Sequence, residues 1–419
     1  MHVLMLTHYF PPEIGAASHL TYELGETLVR LGNKVTVVTG MPSYNMKEIP
    51  ESYRGRYRME ETMAGMRVLR IANGSSHGKS RWRRGLEHLM AGPFYALRAL
   101  DAESDVDVVY SISPPIAIGV AAWLAARRFG TQYCLGVQDL FPQNAIDLGM
   151  MKNRWMIAGF EALERFVYRI AGAVTVHSEG NKLHVVSRGK PAGQVHTLPN
   201  WVDTEAIQPA PRDNAFRAEL GLRGEFVVSF AGTMGWSQGL DVVIEAARIL
   251  KNEPGLTFLM IGDGTERAKI GEQARGLANV RFLPMQPKEK YASILAASDA
   301  CLVTLRPEVA TPVVPSKLLT IMAAGRPVLA SMPLGGDAPE IVRQADCGIV
   351  MPPGDPVALA EAIRKLKHDP AFAAALSERG RHAAEQRFSR PACVREFESV
   401  FRKIAKQPAG LTVSAGLSR

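Results

Sequence analysis

No run of about 18 uncharged apolar residues occurs in this chain, so the sequence offers no membrane-spanning helix. A basic leader is missing too. The first residues, MHVLMLTHYFPPE, move straight into a short apolar run that is expected to be a first strand rather than a signal peptide. Cysteine is scarce, and Cys134, Cys301, Cys347 and Cys393 stand far apart with no metal-ligand spacing. Three of them fall in or beside expected strands, which points to reduced core thiols in a cytosolic protein. There is no recognised nucleic-acid motif or interleaved aromatic platform, and no nucleic-acid partner is expected. What remains, 47% hydrophobic and 21% charged residues, is globular rather than disordered or fibrous. A chain of 419 residues is too long for one ordinary core and comfortable for two domains.

Short β-branched runs alternate with amphipathic stretches. In the first half, strands are expected at Val3–His8, Lys34–Gly40, Met66–Ile71, Val106–Ser113, Gln132–Asp139, Ala173–Ser178 and Val195–Pro199. Leu20, Leu24, Leu28 and Leu31 make one stripe of a helix over Ala17–Leu31. The second half repeats the plan, with strands at Phe226–Gly232, Thr257–Gly262, Val280–Leu283, Ala300–Leu305, Pro327–Ala330 and Gly348–Met351. Helices are expected there at Gly239–Leu250, Ala292–Ala297, Ser316–Ala324 and Val357–Leu366. Such alternation implies α/β domains with parallel sheets covered on both faces. Trp201–Asp213, with Pro209 and Pro211 and no apolar period, is the expected linker. The expected division is therefore a doubly wound domain over 1–204 and another over 205–389.

Charge is unevenly placed. Nine Lys/Arg stand between Arg54 and Arg84 against Glu60 and Glu61, a local excess of 9 − 2 = +7 in a chain of net charge +8. Either this is a solvated basic face or its partner is anionic: a phosphate-bearing lipid, a membrane surface or nucleic acid. Arg81, Trp82, Arg83 and Arg84 precede an apolar stretch, a pattern that suits membrane contact by an interfacial helix, which Pro93 would break into two pieces.

Open parallel sheets bind ligands outside the carboxyl ends of their strands, where helix N-termini offer N–H groups to anions. The unusual residues fall there. Gly15 and Ala16 lie between the first strand and its helix. Phe230-Ala-Gly-Thr-Met-Gly-Trp-Ser-Gln-Gly carries three glycines in eight residues, which suits a sharp turn or close approach to a ligand. Pro315, Ser316 and Lys317 open a helix, and a lysine in that position opposes the helix dipole unless an anion shares it. Asp139 ends one strand and is the first choice for positioning an acceptor or assisting as a base, or it is a helix cap. Glu13 is a candidate contact to sugar or acceptor. His177 and Glu179 end another strand, and His8 is expected to be structural.

The ordered set PPE–G, VQDLFP, LPN–VD, FAGTMG, IGDG, PSKLL–IMAAGRPV and CGIVMPPGDP resembles the retaining glycosyltransferases of family 4, from about residue 2 to 405. The resemblance is strongest to the branch that builds bacterial exopolysaccharides and O-antigens, such as colanic acid and fucosamine transferases. It implies the GT-B fold, two Rossmann-like domains facing across a cleft, with a C-terminal helix over 390–406 returning to the first domain. It implies an acceptor-binding first domain and a second domain that binds a nucleotide-diphosphate sugar. No metal or other cofactor is implied.

The donor site implied by the resemblance comprises Gly15, Ala16, Gly232, Thr233, Gln238, Arg267, Met285, Pro315, Ser316, Lys317, Leu318 and Thr320. Two features of the family are missing. Its basic pair falls within Thr233–Gln238, where neither position is basic, and its paired glutamates align with Pro312 and Thr320. Lys317 is left as the main cation for the diphosphate, with Arg267 or Lys269 as help. The implied acceptor is a membrane-associated, polyprenyl-diphosphate-linked saccharide, and the implied place is the cytoplasmic face of the cell membrane, on an anionic surface. Two other readings stay open: a nucleotide-sugar 2-epimerase of the same fold, and a non-enzymatic basic protein binding lipid or nucleic acid.

Overall fold

The computed structural model describes residues 1–13, 15–42, 49–72, 92–147, 149–309 and 314–405. The chain forms two units, Met1–Pro199 with Cys393 onward, and Asn200–Ala392.

The first unit contains β1 (His2–Leu6), α1 (Ala16–Arg30), β2 (Lys34–Gly40), β3 (Arg58–Met63), β4 (Met66–Ile71) and α2 (residues 92–99). There follow β5 (Val108–Ser113), α3 (Ala117–Phe129), β6 (Gln132–Val137), α4 (Gln143–Asp147), α5 (Arg154–Ile170), β7 (Ala173–Val176), α6 (Glu179–Ser187) and β8 (Val195–Thr197). Among the described residues, eight strands make one sheet in the order β3-β4-β2-β1-β5-β6-β7-β8. Every pairing is parallel except β3 with β4. The central strands β1 and β5 are buried along their whole length, as expected of a sheet covered on both faces.

The expected strands all form, but β3 was not among them. Its sequence, Arg-Met-Glu-Glu-Thr-Met, has one β-branched residue and forms an exposed edge of alternating burial. Ion pairs across the hairpin hold it: Arg67 reaches Glu60 at 2.7 Å, and buried Arg70 reaches Glu61. Three of the segment's nine basic residues are thus paired within the fold. Arg67 and Arg70 are engaged by its two glutamates, and Arg58 pairs with Asp101 at 3.4 Å. Arg70 also holds the Pro11 and Gly40 carbonyls, so it ties the loop after β1 to the end of β2 rather than facing an outside anion. Arg81, Trp82, Arg83 and Arg84 lie outside the described residues. Pro93 sits inside the helical run of α2.

The second unit contains α7 (Ala215–Glu219), β9 (Phe226–Ala231), α8 (Asp241–Ile249), β10 (Leu256–Ile261), α9 (Arg267–Gln273), β11 (Val280–Leu283) and α10 (Tyr291–Ala296). It continues with β12 (Ala300–Thr304), α11 (Ser316–Ala323), β13 (Val328–Ser331), α12 (Asp337–Ala345), β14 (Gly348–Met351), α13 (Pro356–His368) and α14 (Pro370–Arg387). Its six strands are all parallel, in the order β11-β10-β9-β12-β13-β14. Helix α15 (Arg390–Ala405) begins in this unit and continues into the first, where Phe401 packs 5.1 Å from Tyr110 and Glu398 accepts from Asn33 at 2.9 Å.

Trp201–Asp213 is not a free linker. Trp201 and Val202 are buried, and Val202 bridges to Ser389. Arg381 donates to the Ile207 and Thr204 carbonyls at 2.8 and 3.1 Å, and Arg326 to the Ala210 carbonyl at 2.7 Å. Two arginines far along the chain satisfy this backbone in place of a sheet or helix ladder, which is why no apolar period marks it.

Candidate functional site

In the second unit the site is built where β9 and β10 end. Gly232 donates to the Ile261 carbonyl at 2.9 Å, and Met234 to the Asp263 carbonyl at 2.8 Å. The two strand-end loops thus run backbone against backbone. A Cβ at Gly262 would stand 1.9 Å from the Gly232 oxygen, and one at Gly264 would stand 2.5 Å from the Met234 oxygen. Both glycines, and Gly232, have φ near +145°, a region that side chains rarely adopt. Much of the glycine here serves loop on loop.

One gap is left over. A Cβ at Gly232 would lie 3.6 Å from the Lys317 ammonium, so its absence keeps that side of the cation open. Lys317 sits in the first turn of α11, whose cap residue, Pro315, has no side chain to offer the exposed N–H groups. Its ammonium donates to the Gln238 amide oxygen at 2.7 Å and lies 3.9 Å from the centre of the Phe230 ring. Although the side chain keeps some solvent-facing area, the groups packed around the ammonium desolvate it and lower its pKa to about 7. The result is a crowded cation beside a helix N-terminus, with no carboxylate paired to it among the described residues.

The loop between β9 and α8 is locked from the side. Arg306 donates to the Trp236 carbonyl at 2.7 Å and to Asp241 at 2.5 Å, with its guanidinium 5.4 Å from the Trp236 ring. Burial alone would raise the Asp241 pKa, but hydrogen bonds from Lys269 and Gln273 and the charges of Lys269 and Arg306 bring it below the ordinary value. Lys269 therefore belongs to this lock. Arg267 instead sits over the Phe282 ring, 4.4 Å from its centre, and Met285 is exposed just beyond β11. Thr233 and Ser316 are exposed near the opening.

In the first unit, the parallel register of β6 and β7 sets Val137 beside Val176, so Asp139 and His177 follow at neighbouring strand ends. Protein packed around Asp139 raises its carboxyl pKa, and the neighbouring His177 pulls it partly back. The side chain still opens to solvent on one side, which tempers both influences. Buried Asn181 in α6 bonds His177 at 3.2 Å and orients the ring. Glu13 is buried at the other end of the edge, with Ser18 donating to its carbonyl at 2.8 Å. His8 bonds Tyr95 at 2.9 Å, in keeping with a structural histidine. Gly15 caps α1 with an extended backbone that any residue adopts, and Ala16 is the first residue of that helix.

Two families match the chain: the glycosyl transferases group 1 over residues 225–369, and the glycosyl transferase 4-like domain over residues 15–201. This chain is a glycosyltransferase. It belongs to the group that these two domains define. WbjE of Pseudomonas aeruginosa, named as a glycosyltransferase, is 28% identical over 289 residues, 68% of this chain and 72% of the relative. WcaI of Escherichia coli K12, named as a colanic acid biosynthesis glycosyl transferase, is 28% identical over 334 residues, 78% of this chain and 82% of the relative. Among solved structures, Anabaena Alr3699/HepE in complex with UDP superposes with TM-score 0.71 at 18% identity, over 96% of this chain and 100% of that one. WaaG, a glycosyltransferase involved in lipopolysaccharide biosynthesis, gives 0.65 at 17% identity, over 97% and 100%. The fold of the glycosyltransferase is GT-B.

Of the residues the sequence singled out, the structure brings Gly232, Gln238, Pro315, Ser316 and Lys317 together, and Arg267 with Met285 at the end of β11. Two are corrected. Leu318 is fully buried and its N–H bonds the Pro315 carbonyl, so its role is packing. The Thr320 hydroxyl donates to the Lys317 carbonyl at 2.9 Å and meets the Tyr291 phenol, so it is turned into its own helix rather than toward a ribose. Pro312 lies outside the described residues. Phe230 and Arg306 were missed. Phe230 opens the FAGTMG motif, where only the glycines drew notice, and Arg306 stands in no motif; both act through contacts with residues distant in sequence.

Proposed function

We propose that this glycosyltransferase moves a sugar, with retention, from a nucleotide-diphosphate sugar onto a lipid-linked saccharide during cell-surface polysaccharide synthesis. The observation that carries the donor side is the Lys317 ammonium, unpaired with any described carboxylate and open beside Gly232 at a helix N-terminus. A diphosphate seated there meets a cation and unsatisfied N–H groups at once. HepE is described in complex with UDP, which supports a nucleotide donor, and the names of WcaI and WaaG support a polysaccharide or lipopolysaccharide product.

In the transfer, the bond between the anomeric carbon and the diphosphate oxygen breaks, and a new one forms to the acceptor oxygen on the same face. The acceptor proton passes to the departing diphosphate. Lys317 and the start of α11 stabilise the charge that develops, which is electrostatic catalysis needing neither metal nor cofactor. Arg267 and Met285 contact the nucleotide, with Thr233 and Gln238 near the phosphates. Asp139, oriented beside His177, positions the acceptor hydroxyl, with Glu13 contacting sugar. The enzyme works at the cytoplasmic face of the membrane, with Arg81, Trp82, Arg83 and Arg84 toward anionic lipid.

A thermal-shift panel of nucleotide sugars tests the donor side, because a ligand bound only by the native state raises Tm. No shift with any nucleotide sugar would overturn it. Asp139→Asn is expected to lower kcat by about a hundredfold to a thousandfold while leaving that shift intact. A loss of the shift instead would place Asp139 with the donor.

A further inference from the structure

Helix α5 carries an exposed face that no part of the reaction uses. Trp155 is 79% exposed and Phe166 41% exposed. Eleven residues apart, they stand almost in line along the helix, about 16 Å from each other. Between them Ala158, Gly159 and Ala162 are exposed and small, and a Cβ at Gly159 would meet nothing within 4 Å. The face is therefore flat, with an aromatic ring at each end.

Charge on this helix is sorted by side. Arg154, Arg165 and Arg169 are exposed and form a row flanking the aromatic line. The only acidic residues of the helix, Glu161 and Glu164, turn to Arg188 at 3.1 and 3.2 Å, and Glu164 is fully buried. Helix α3 extends the same surface. Trp123 meets Phe166 edge to face at 6.3 Å, and Arg127 lies over Trp123 at 5.5 Å. Exposed Leu124 and Arg128 continue the mixture. Solvated helices ordinarily show acidic and basic residues together; here the exposed charge is of one sign and set beside bare aromatic rings.

We infer that α5, with the neighbouring edge of α3, is a lipid-docking face that lies on an anionic bilayer surface. Rings of this kind settle at headgroup depth, and arginines beside them keep their charge among lipid phosphates. The occupant is fixed by charge complementarity: a row of unopposed guanidinium groups matches an anionic surface and not a neutral one. The inference rests on the proposed use of a lipid-linked acceptor, and it adds α5 and the edge of α3 to the contact proposed for Arg81–Arg84.

The test is flotation of the full chain with vesicles of phosphatidylcholine, with or without phosphatidylglycerol. The expected result is flotation with the anionic vesicles alone, weakened by salt. Arg154→Glu/Arg165→Glu/Arg169→Glu is expected to weaken partitioning on the order of a hundredfold, given the known contribution of each basic residue near a charged surface. Trp155→Ala/Phe166→Ala should weaken it as well. These positions are exposed, so both variants should keep the wild-type melt and the wild-type shift with nucleotide sugar. Flotation of either variant at wild-type strength would overturn the inference, as would wild-type chain that stays at the bottom of the gradient. A wild-type dimer that Trp155→Ala/Phe166→Ala converts to monomer, without flotation, would assign the face to a second copy instead. The nucleotide-sugar shift is read in the same samples, so failure of the donor reading is seen separately.

Discussion

Lys317→Met is expected to lower kcat/KM for sugar transfer by about a thousandfold, the scale of removing one preorganised group that stabilises developing negative charge. The ammonium lies 2.7 Å from Gln238 and 3.9 Å from the Phe230 ring centre, in a position where the diphosphate is the only strong counter-charge proposed. Methionine fills the same volume against Phe230, so packing is kept while the charge is lost. The ligand-free variant should melt at or above the wild-type temperature, because a desolvated cation has been removed. A variant that loses both activity and fold would point to a structural role; one that keeps wild-type kcat/KM would remove Lys317 from the reaction.

The same residue sets two opposite pH dependences. Its pKa is about 7 in the folded chain against an ordinary 10.5. Between those values the unfolded chain holds a proton that the folded chain has released, so ligand-free stability gains from this group as pH rises from 7 toward 10.5. Anion binding runs the other way. A bound diphosphate favours the charged ammonium, so nucleotide affinity should fall as pH climbs past about 7, with proton uptake on binding. Calorimetric titration of UDP in buffers of different ionisation enthalpy measures that uptake, and Lys317→Met should abolish it.

Gly262→Ala is expected to be the most damaging small substitution in the second unit. The new methyl would stand 1.9 Å from the Gly232 oxygen, where the neighbour is backbone and cannot swing aside. The residue also holds φ at +142°, so strain adds to the clash. A cost of about 4 kcal/mol or more follows, seen as a fall in Tm of roughly 8 to 16 °C for a unit of this size. Gly235→Ala is the control: nothing lies within 4 Å of its added carbon and φ is −99°. It should change stability by no more than about 1 kcal/mol, and in the favourable direction. Equal melts for the two variants would mean that the strand-end loops do not cross as described.

Sequence reading and structure part company at particular residues. The strands β9 and β10 were legible because Phe-Val-Val-Ser-Phe-Ala and Leu-Thr-Phe-Leu-Met-Ile are apolar on both faces, as the middle of a parallel sheet requires. β3 was not, because its stability lies in pairs with Arg67 and Arg70 across the hairpin and not in its own side chains. Trp201–Asp213 read as a linker for a similar reason: the arginines that hold it stand more than a hundred residues away along the chain.

Local pattern alone determined that this chain is α/β, built twice over, with glycine and a helix-opening lysine at strand ends, since period and turn chemistry are properties of neighbouring residues. The motif order was enough to resemble the right family. Which charges face outward was decided only by the tertiary structure, because pairing depends on which residues meet in space. Arg70 turned inward to hold the loop after β1, and Lys317 met Gln238 and Phe230 from 79 and 87 positions away. Glu161 and Glu164 turned to Arg188, leaving a face of α5 whose exposed charge is arginine alone, beside Trp155 and Phe166.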